Sequence, residues 1–218
     1  MYEQPPGQAL SLEERAARLE ALMTRVQACR LCQERGYLAE ANPVGASRGH
    51  VTDQVMVIGQ APGRQSVIHR IPFGGPGGKV LQSWFVRAGF QPEDFHERIY
   101  LSALTRCDPG RNPRGTGDRK PSPAEQALCR PYLVEELALV RPRVLILLGG
   151  LAIQVFWGAG TLEEIIGTYR EQDGQVLLPW PHPSGASRWL NDSAHQALLS
   201  KAIEHLARWR VEFKLDQR

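Results

Sequence analysis

The chain has 218 residues, enough for one domain with a sizeable core or one domain and a small appendage. Hydrophobic residues make up 42% and the net charge is +3. The first value is ordinary for a globular protein, and the second is too small an excess to imply a nucleic-acid partner by itself. No apolar run approaches the roughly 20 residues that cross a bilayer. The N-terminus, MYEQPPGQALSLEER, lacks the basic-then-apolar layout of a signal peptide, so a cytoplasmic protein without membrane contact is expected.

The first element is an amphipathic helix over 11–28. Ser11 and Glu14 form a capping box, and Leu12, Ala16, Leu19, Leu22, Met23 and Val26 follow helical spacing. The helix runs into Cys29-x-x-Cys32, after which 32–52 reads as irregular. An apolar strand over 55–58 stops at Gly59-Gln60-Ala61-Pro62-Gly63. A second Gly-rich loop, Ile71 to Lys79, carries Phe73 and leads into a helix over 79–88. A strand over 99–104 enters Thr105-Arg106-Cys107, and Arg111, Arg114, Arg119 and Lys120 crowd the Gly/Pro-rich stretch that follows. That stretch reads either as a solvated loop or as one that meets phosphates.

A helix over 122–140 opens with a capping box, Ser122 and Glu125, and Pro123 in the favoured first position. Pro131 is expected to kink or break it just past Cys129. A strand over 144–148 ends at Gly149-Gly150 and a helix over 151–157 follows. A strand over 176–178 ends at Pro-Trp-Pro-His-Pro-Ser-Gly, and a helix over 193–209 closes the chain.

Short apolar strands alternating with helices predict βαβ units. The expected architecture is a three-layer α/β/α fold, with a central four-stranded parallel sheet and an N-terminal helical extension. A single domain is expected over 1–218, with 1–50 holding the helix and first cysteines and 51–210 the core. Ligands of such sheets bind at the carboxyl ends of the strands, and all the unusual loops fall on that edge.

Four cysteines without a secretion signal argue for a metal rather than disulfides. One site would use Cys29, Cys32, Cys107 and Cys129. Zinc takes four thiolates in a closed tetrahedron, and a [4Fe–4S] cluster takes four irregularly spaced ones. The span from Cys107 to Cys129 is wide for a zinc ribbon, which favours iron–sulfur. A redox C-x-x-C pair and four unrelated buried thiols are the alternatives.

In the first loop, backbone N–H groups could hold a carbonyl oxygen or an anion, although a Gly/Pro turn is often only a turn. Phe73 either folds into the core or offers a stacking surface for a flat ring. Of the six histidines, His182 ranks first, at a strand end between prolines and followed by Ser184, Ser187 and Arg188. His69 ranks second.

Together these features resemble the uracil-DNA glycosylase superfamily, in particular its iron–sulfur-containing bacterial and archaeal branches, families 4 and 5. The likeness covers roughly residues 25–205. It rests on Gly59–Gly63 with Pro72-Phe73, on the order of the cysteines, and on His182-Pro183-Ser184. Ser187 to Asn191 looks closer to family 5 and the mismatch-specific branch.

The resemblance implies a [4Fe–4S] cluster on the four cysteines and DNA containing uracil or another deaminated base as partner, met by a monomer. The flipped base would lie in a pocket of Gly59, Gln60, Ala61, Gly63, Phe73, Ala103 and His182. His182 would stabilise the departing base, with Gln60 or Asn191 orienting water. Lys79, Ser184, Ser187 and Arg188 would meet DNA. Gln60 and Ala61 replace carboxylates of related branches, and Ala103 stands where family 4 reads uracil with Asn. These loops therefore offer no Asp or Glu to activate water, and the preferred base stays open between uracil, hypoxanthine and xanthine. A lesion-binding protein without activity and a nucleotide enzyme on the same fold are the competing readings.

Overall fold

A computed structural model describes residues 10–46, 49–113, 117–184 and 188–217. In chain order the helices are α1 (Leu12–Ala28), α2 (Leu31–Glu34), α3 (Arg64–His69), α4 (Pro76–Arg87), α5 (Asp94–Glu97), α6 (Pro123–Val140), α7 (Gly150–Phe156), α8 (Leu162–Ile165) and α9 (Ser193–Phe213). The strands are β1 (Val55–Gly59), β2 (Ile99–Ala103), β3 (Val144–Leu148), β4 (Arg170–Gln172) and β5 (Gln175–Trp180). A 3-10 turn covers Arg188–Asn191.

The strands form one sheet in the order β2-β1-β3-β5-β4. The four apolar strands anticipated from the sequence run parallel. Every residue of β1, β2 and β3 is buried, as expected of a sheet covered on both faces. Val55 and Val57 face a layer of Leu81, Phe85, Ile203 and Leu206 from α4 and α9. Met56 and Ile58 face the opposite layer, where Leu19, Leu22 and Val26 of α1 join Leu133 and Leu137 of α6.

The sheet has five strands rather than four. The fifth, β4, pairs antiparallel with β5 at the edge. The link is a two-residue hairpin, Asp173 at φ 52° and Gly174 at φ 76°, the pairing that an Asp-Gly turn favours. All three β4 residues are exposed, so no apolar alternation marks the strand. Its charged side chains instead blunt the sheet edge.

Pro131 does not end its helix, since α6 continues to Val140. Packing holds it: its buried face carries Cys129, Leu133, Glu136 and Leu137. α1 lies against α6, and the Arg15 guanidinium donates to the carbonyls of Leu139, Val51 and Val140 at 2.6, 2.6 and 3.0 Å. Those carbonyls include two at the end of α6, where helical partners run out. No helix of the described residues is long and apolar enough to cross a membrane.

Candidate active site

Parallel register brings the site together. Gly59 and Ala103 pair at the carboxyl ends of β1 and β2. Beyond them the Leu104 N–H donates to the Gly59 carbonyl at 2.9 Å and the Thr105 N–H to the Gln60 carbonyl at 3.3 Å. The first motif loop is thus tied to the segment that continues to Cys107. On the other side of β1, the Gly149 N–H donates to the Trp180 carbonyl at 2.9 Å, two residues before His182.

A cavity of about 420 Å³ opens at this edge, within the usual range for small-molecule sites. Gly59, Gln60, Ala61, Gly63, Phe73, Ala103, His182 and Ser184, all singled out in the sequence, line it. Lys79 and Arg188 are exposed in α4 and the 3-10 turn, Asn191 is exposed at the end of that turn, and none of the three lines the cavity. His69 is exposed in the last turn of α3 and also stands outside. Ser187 and Arg114 lie outside the described residues.

Phe73 combines both roles considered for it. It packs partly on the core while lining the cavity. Its backbone sits at φ 55°, a costly conformation for a residue with a side chain. Two glycines accommodate it. A Cβ at Gly59 would stand 2.9 Å from Phe73 Cζ, and one at Gly78 would fall 1.7 Å from the Phe73 carbonyl oxygen.

His182 lines the same cavity. The Ser184 N–H donates to its Nδ1 at 3.2 Å, which leaves the ring proton on Nε2. Solvent reaches the ring through the open cavity, yet the protein packed around it disfavours imidazolium. Burial therefore lowers its pKa below the ordinary value, opposed by the charge of Asp118. The outcome is a neutral donor rather than a cation.

Asp118 is the feature that motif reading missed. It lines the cavity, although it belongs to the loop read for its arginines. A Cβ at Gly63 would lie 3.0 Å from Asp118 Oδ2, so the carboxylate covers the first motif loop. The loop is held there by Arg119, which donates to both carboxylate oxygens of Glu125 at 2.7 Å. Gln60 Nε2 donates to the Arg119 carbonyl at 3.3 Å. The sequence signal was indirect: Arg119 stands six residues before a capping-box glutamate.

Thr105 and Arg106, also unanticipated as site residues, line the cavity. Arg106 pairs with Glu136, which also accepts from Tyr100 at 3.1 Å and Ser102 at 2.8 Å. Among the described residues, the Thr105 hydroxyl and Arg106 Nε are buried without a hydrogen-bond partner.

Cys29, Cys32, Cys107 and Cys129 carry free thiols. They are electrostatic neighbours in every pairing. Burial, then the neighbouring thiols, push Cys32 up to about 12, and burial pushes Cys107 up to about 11. Among the described residues no group of three His, Cys, Asp or Glu is arranged to hold a single metal ion. A tetrahedral zinc needs its sulfurs at about 2.3 Å from the metal. Four mutually neighbouring thiols have the chemistry that thiolate ligation of a metal ion or an iron–sulfur cluster requires.

The fold and cavity define an α/β protein with a small-molecule-sized pocket, at the carboxyl edge of its parallel sheet, lined by an aromatic ring, a Gly/Pro loop and an imidazole. A family model described as the uracil DNA glycosylase superfamily matches residues 47–207. The type-4 uracil-DNA glycosylase of Archaeoglobus fulgidus is 30% identical over 145 residues, 66% of this chain and 66% of that protein. Its counterpart in Thermotoga maritima is 28% identical over 169 residues, 76% of this chain and 81% of that protein. That of Pyrobaculum aerophilum is 28% identical over 158 residues, 72% and 71% respectively. The chain belongs to the uracil-DNA glycosylase superfamily.

Proposed function

We propose that the protein hydrolyses the N-glycosidic bond of uracil in DNA, leaving free base and an abasic site. The observation that carries this reading is the neutral imidazole of His182, with its proton on Nε2, sharing a cavity of about 420 Å³ with Phe73 and the first motif loop. A nucleotide turned out of the duplex places its base against Phe73, with backbone amides near Gln60 and Ala61 toward a base carbonyl. As the bond breaks, negative charge gathers on the base, and the Nε2–H of His182 donates to its O2 oxygen. A neutral donor aimed at developing charge supplies the kind of stabilisation worth about 10²–10³ in rate. Lys79, Ser184, Ser187 and Arg188 meet phosphates or fill the space left by the base, and Gln60 or Asn191 orients water.

Cys29, Cys32, Cys107 and Cys129 hold a [4Fe–4S] cluster in this reading. When bound, the cluster supplies a structural tie between α1–α2, the end of β2 and α6. The chain acts as one unit, a monomer in the cytoplasm associated with the nucleoid.

The test is a panel of oligonucleotides, single- and double-stranded, each carrying one uracil, hypoxanthine or xanthine and scored for abasic sites. Uracil release by the wild type and near loss of release in His182→Ala are expected. DNA affinity without release of any base would overturn the reading in favour of a lesion-binding protein. An unchanged rate in His182→Ala would overturn the role of the imidazole.

A further inference from the structure

We propose that Asp118 is a catalytic residue of this site, the carboxylate that takes the proton of the attacking water. The inference rests on the glycosylase reading above and adds to it the group that the motif loops lack.

Three observations converge on Asp118. It is the one carboxylate among the described residues lining the cavity, where it shares the lining with His182, Gln60 and Phe73. Its Oδ2 lies over Gly63, on the wall built by the first motif loop. It is an electrostatic neighbour of His182, which lines the same cavity in the role of leaving-group donor. A water held beside the carboxylate would have a base on one side and the electrophilic sugar on the other.

The backbone fixes the carboxylate. Arg111 and Asp118 form an antiparallel bridge. The Asn112 N–H donates to the Gly117 carbonyl at 3.0 Å and the Arg119 N–H to the Gly110 carbonyl at 2.9 Å. The Arg119–Glu125 pair anchors the same loop to α6. A general base must be positioned before its pKa matters, and these bonds position it.

Electrostatics then suit the task. Burial and the neighbouring Asp108 raise the Asp118 pKa above the ordinary carboxylate value, while Arg111 and His182 oppose them. A raised pKa makes a better proton acceptor.

The step balances as follows. The glycosidic bond from C1′ to the base breaks, and its electron pair leaves with the base. The water oxygen bonds to C1′, and one water proton passes to Asp118. The base anion, held at His182, then receives that proton through solvent, which restores the carboxylate. No oxidant or metal is consumed.

The experiment compares wild type with Asp118→Asn, Asp118→Ser and Asp118→Glu. It measures single-turnover uracil release from pH 4.5 to 9, DNA affinity by fluorescence anisotropy, and thermal unfolding. Asp118 is exposed in its loop and only partly buried, so the variants should unfold as the wild type does. Expected results are a loss of about 10²-fold in the Asn and Ser variants, unchanged DNA affinity, and partial recovery in the Glu variant. The wild-type rate should fall as pH drops through the raised pKa of Asp118, and this acid limb should vanish in Asp118→Asn. A purely structural role would leave the limb in place. An active wild type with Asp118→Asn within threefold of it, or with the acid limb retained, overturns Asp118 alone. A wild type that binds DNA and releases no base overturns the glycosylase reading as well.

Discussion

Gly149 leaves the space that His182 fills. A Cβ at position 149 would stand 3.2 Å from His182 Cδ2 and 3.4 Å from its Cβ, on backbone at φ +84°. Gly149 is also the residue before α7 and the donor to Trp180, so the turn cannot easily relax away. Gly149→Ala should lower stability by about 1–2 kcal/mol through the left-handed backbone. It should reduce single-turnover base release by at least tenfold through displacement of the imidazole. Urea unfolding and excision kinetics on the same samples check both. A stable variant with full activity would show that the His182 ring position is not critical.

The Arg106–Glu136 pair is sealed, with 4% and 0% of the two side chains exposed. Removing one charge strands the other in a medium that cannot solvate it. Glu136→Gln should cost about 3–5 kcal/mol, read as a shift in the urea midpoint. Because Arg106 lines the cavity and precedes Cys107, base release should fall as well.

Glu125 has its pKa lowered to about 2, first by the Arg119 hydrogen bonds, with contributions from the Ser122 backbone and hydroxyl. The unfolded chain binds this proton near the ordinary value of 4.5, above where the folded chain does. Its contribution is therefore present above that value and lost as pH falls from 4.5 toward 2. Allowing for the partial exposure of Arg119, it amounts to about 2 kcal/mol. Unfolding of wild type and Glu125→Gln should differ by that amount at pH 7 and converge at pH 2. Parallel curves across that range would show that the pair contributes nothing.

Protein isolated without oxygen should be brown, with broad visible absorbance and about four irons per chain. Cys129→Ser should lose the colour and unfold at lower temperature. Colourless protein with one zinc per chain would replace the cluster by a tetrahedral site.

Much of the fold was legible because β1, β2, β3 and β5 are built on short apolar runs and α1 and α6 carry capping boxes at their starts. β4 was not, since an exposed edge strand of Arg170, Glu171 and Gln172 has no periodicity to read. The continuity of α6 through Pro131 was not, because burial of a helix face outweighs a local preference. In the site, His182, Phe73 and the first motif loop were visible as local oddities of composition. Asp118 was invisible in that way. It sits among arginines in sequence, and its place at the cavity depends on the Gln60–Arg119 contact, which joins segments 59 residues apart in the chain.

α6 carries Glu125, Cys129, Leu133, Glu136 and Leu137 on its buried side. Together they serve four neighbours: the Asp118 loop, the cysteine locus, the core beneath α1 and the Arg106 pocket. One residue advances an α-helix by about 100°. A single insertion or deletion between Glu125 and Glu136 would thus turn one end of the rod out of step with the other. Loops elsewhere can lengthen freely as sequences diverge, but the length of this segment is locked by phase.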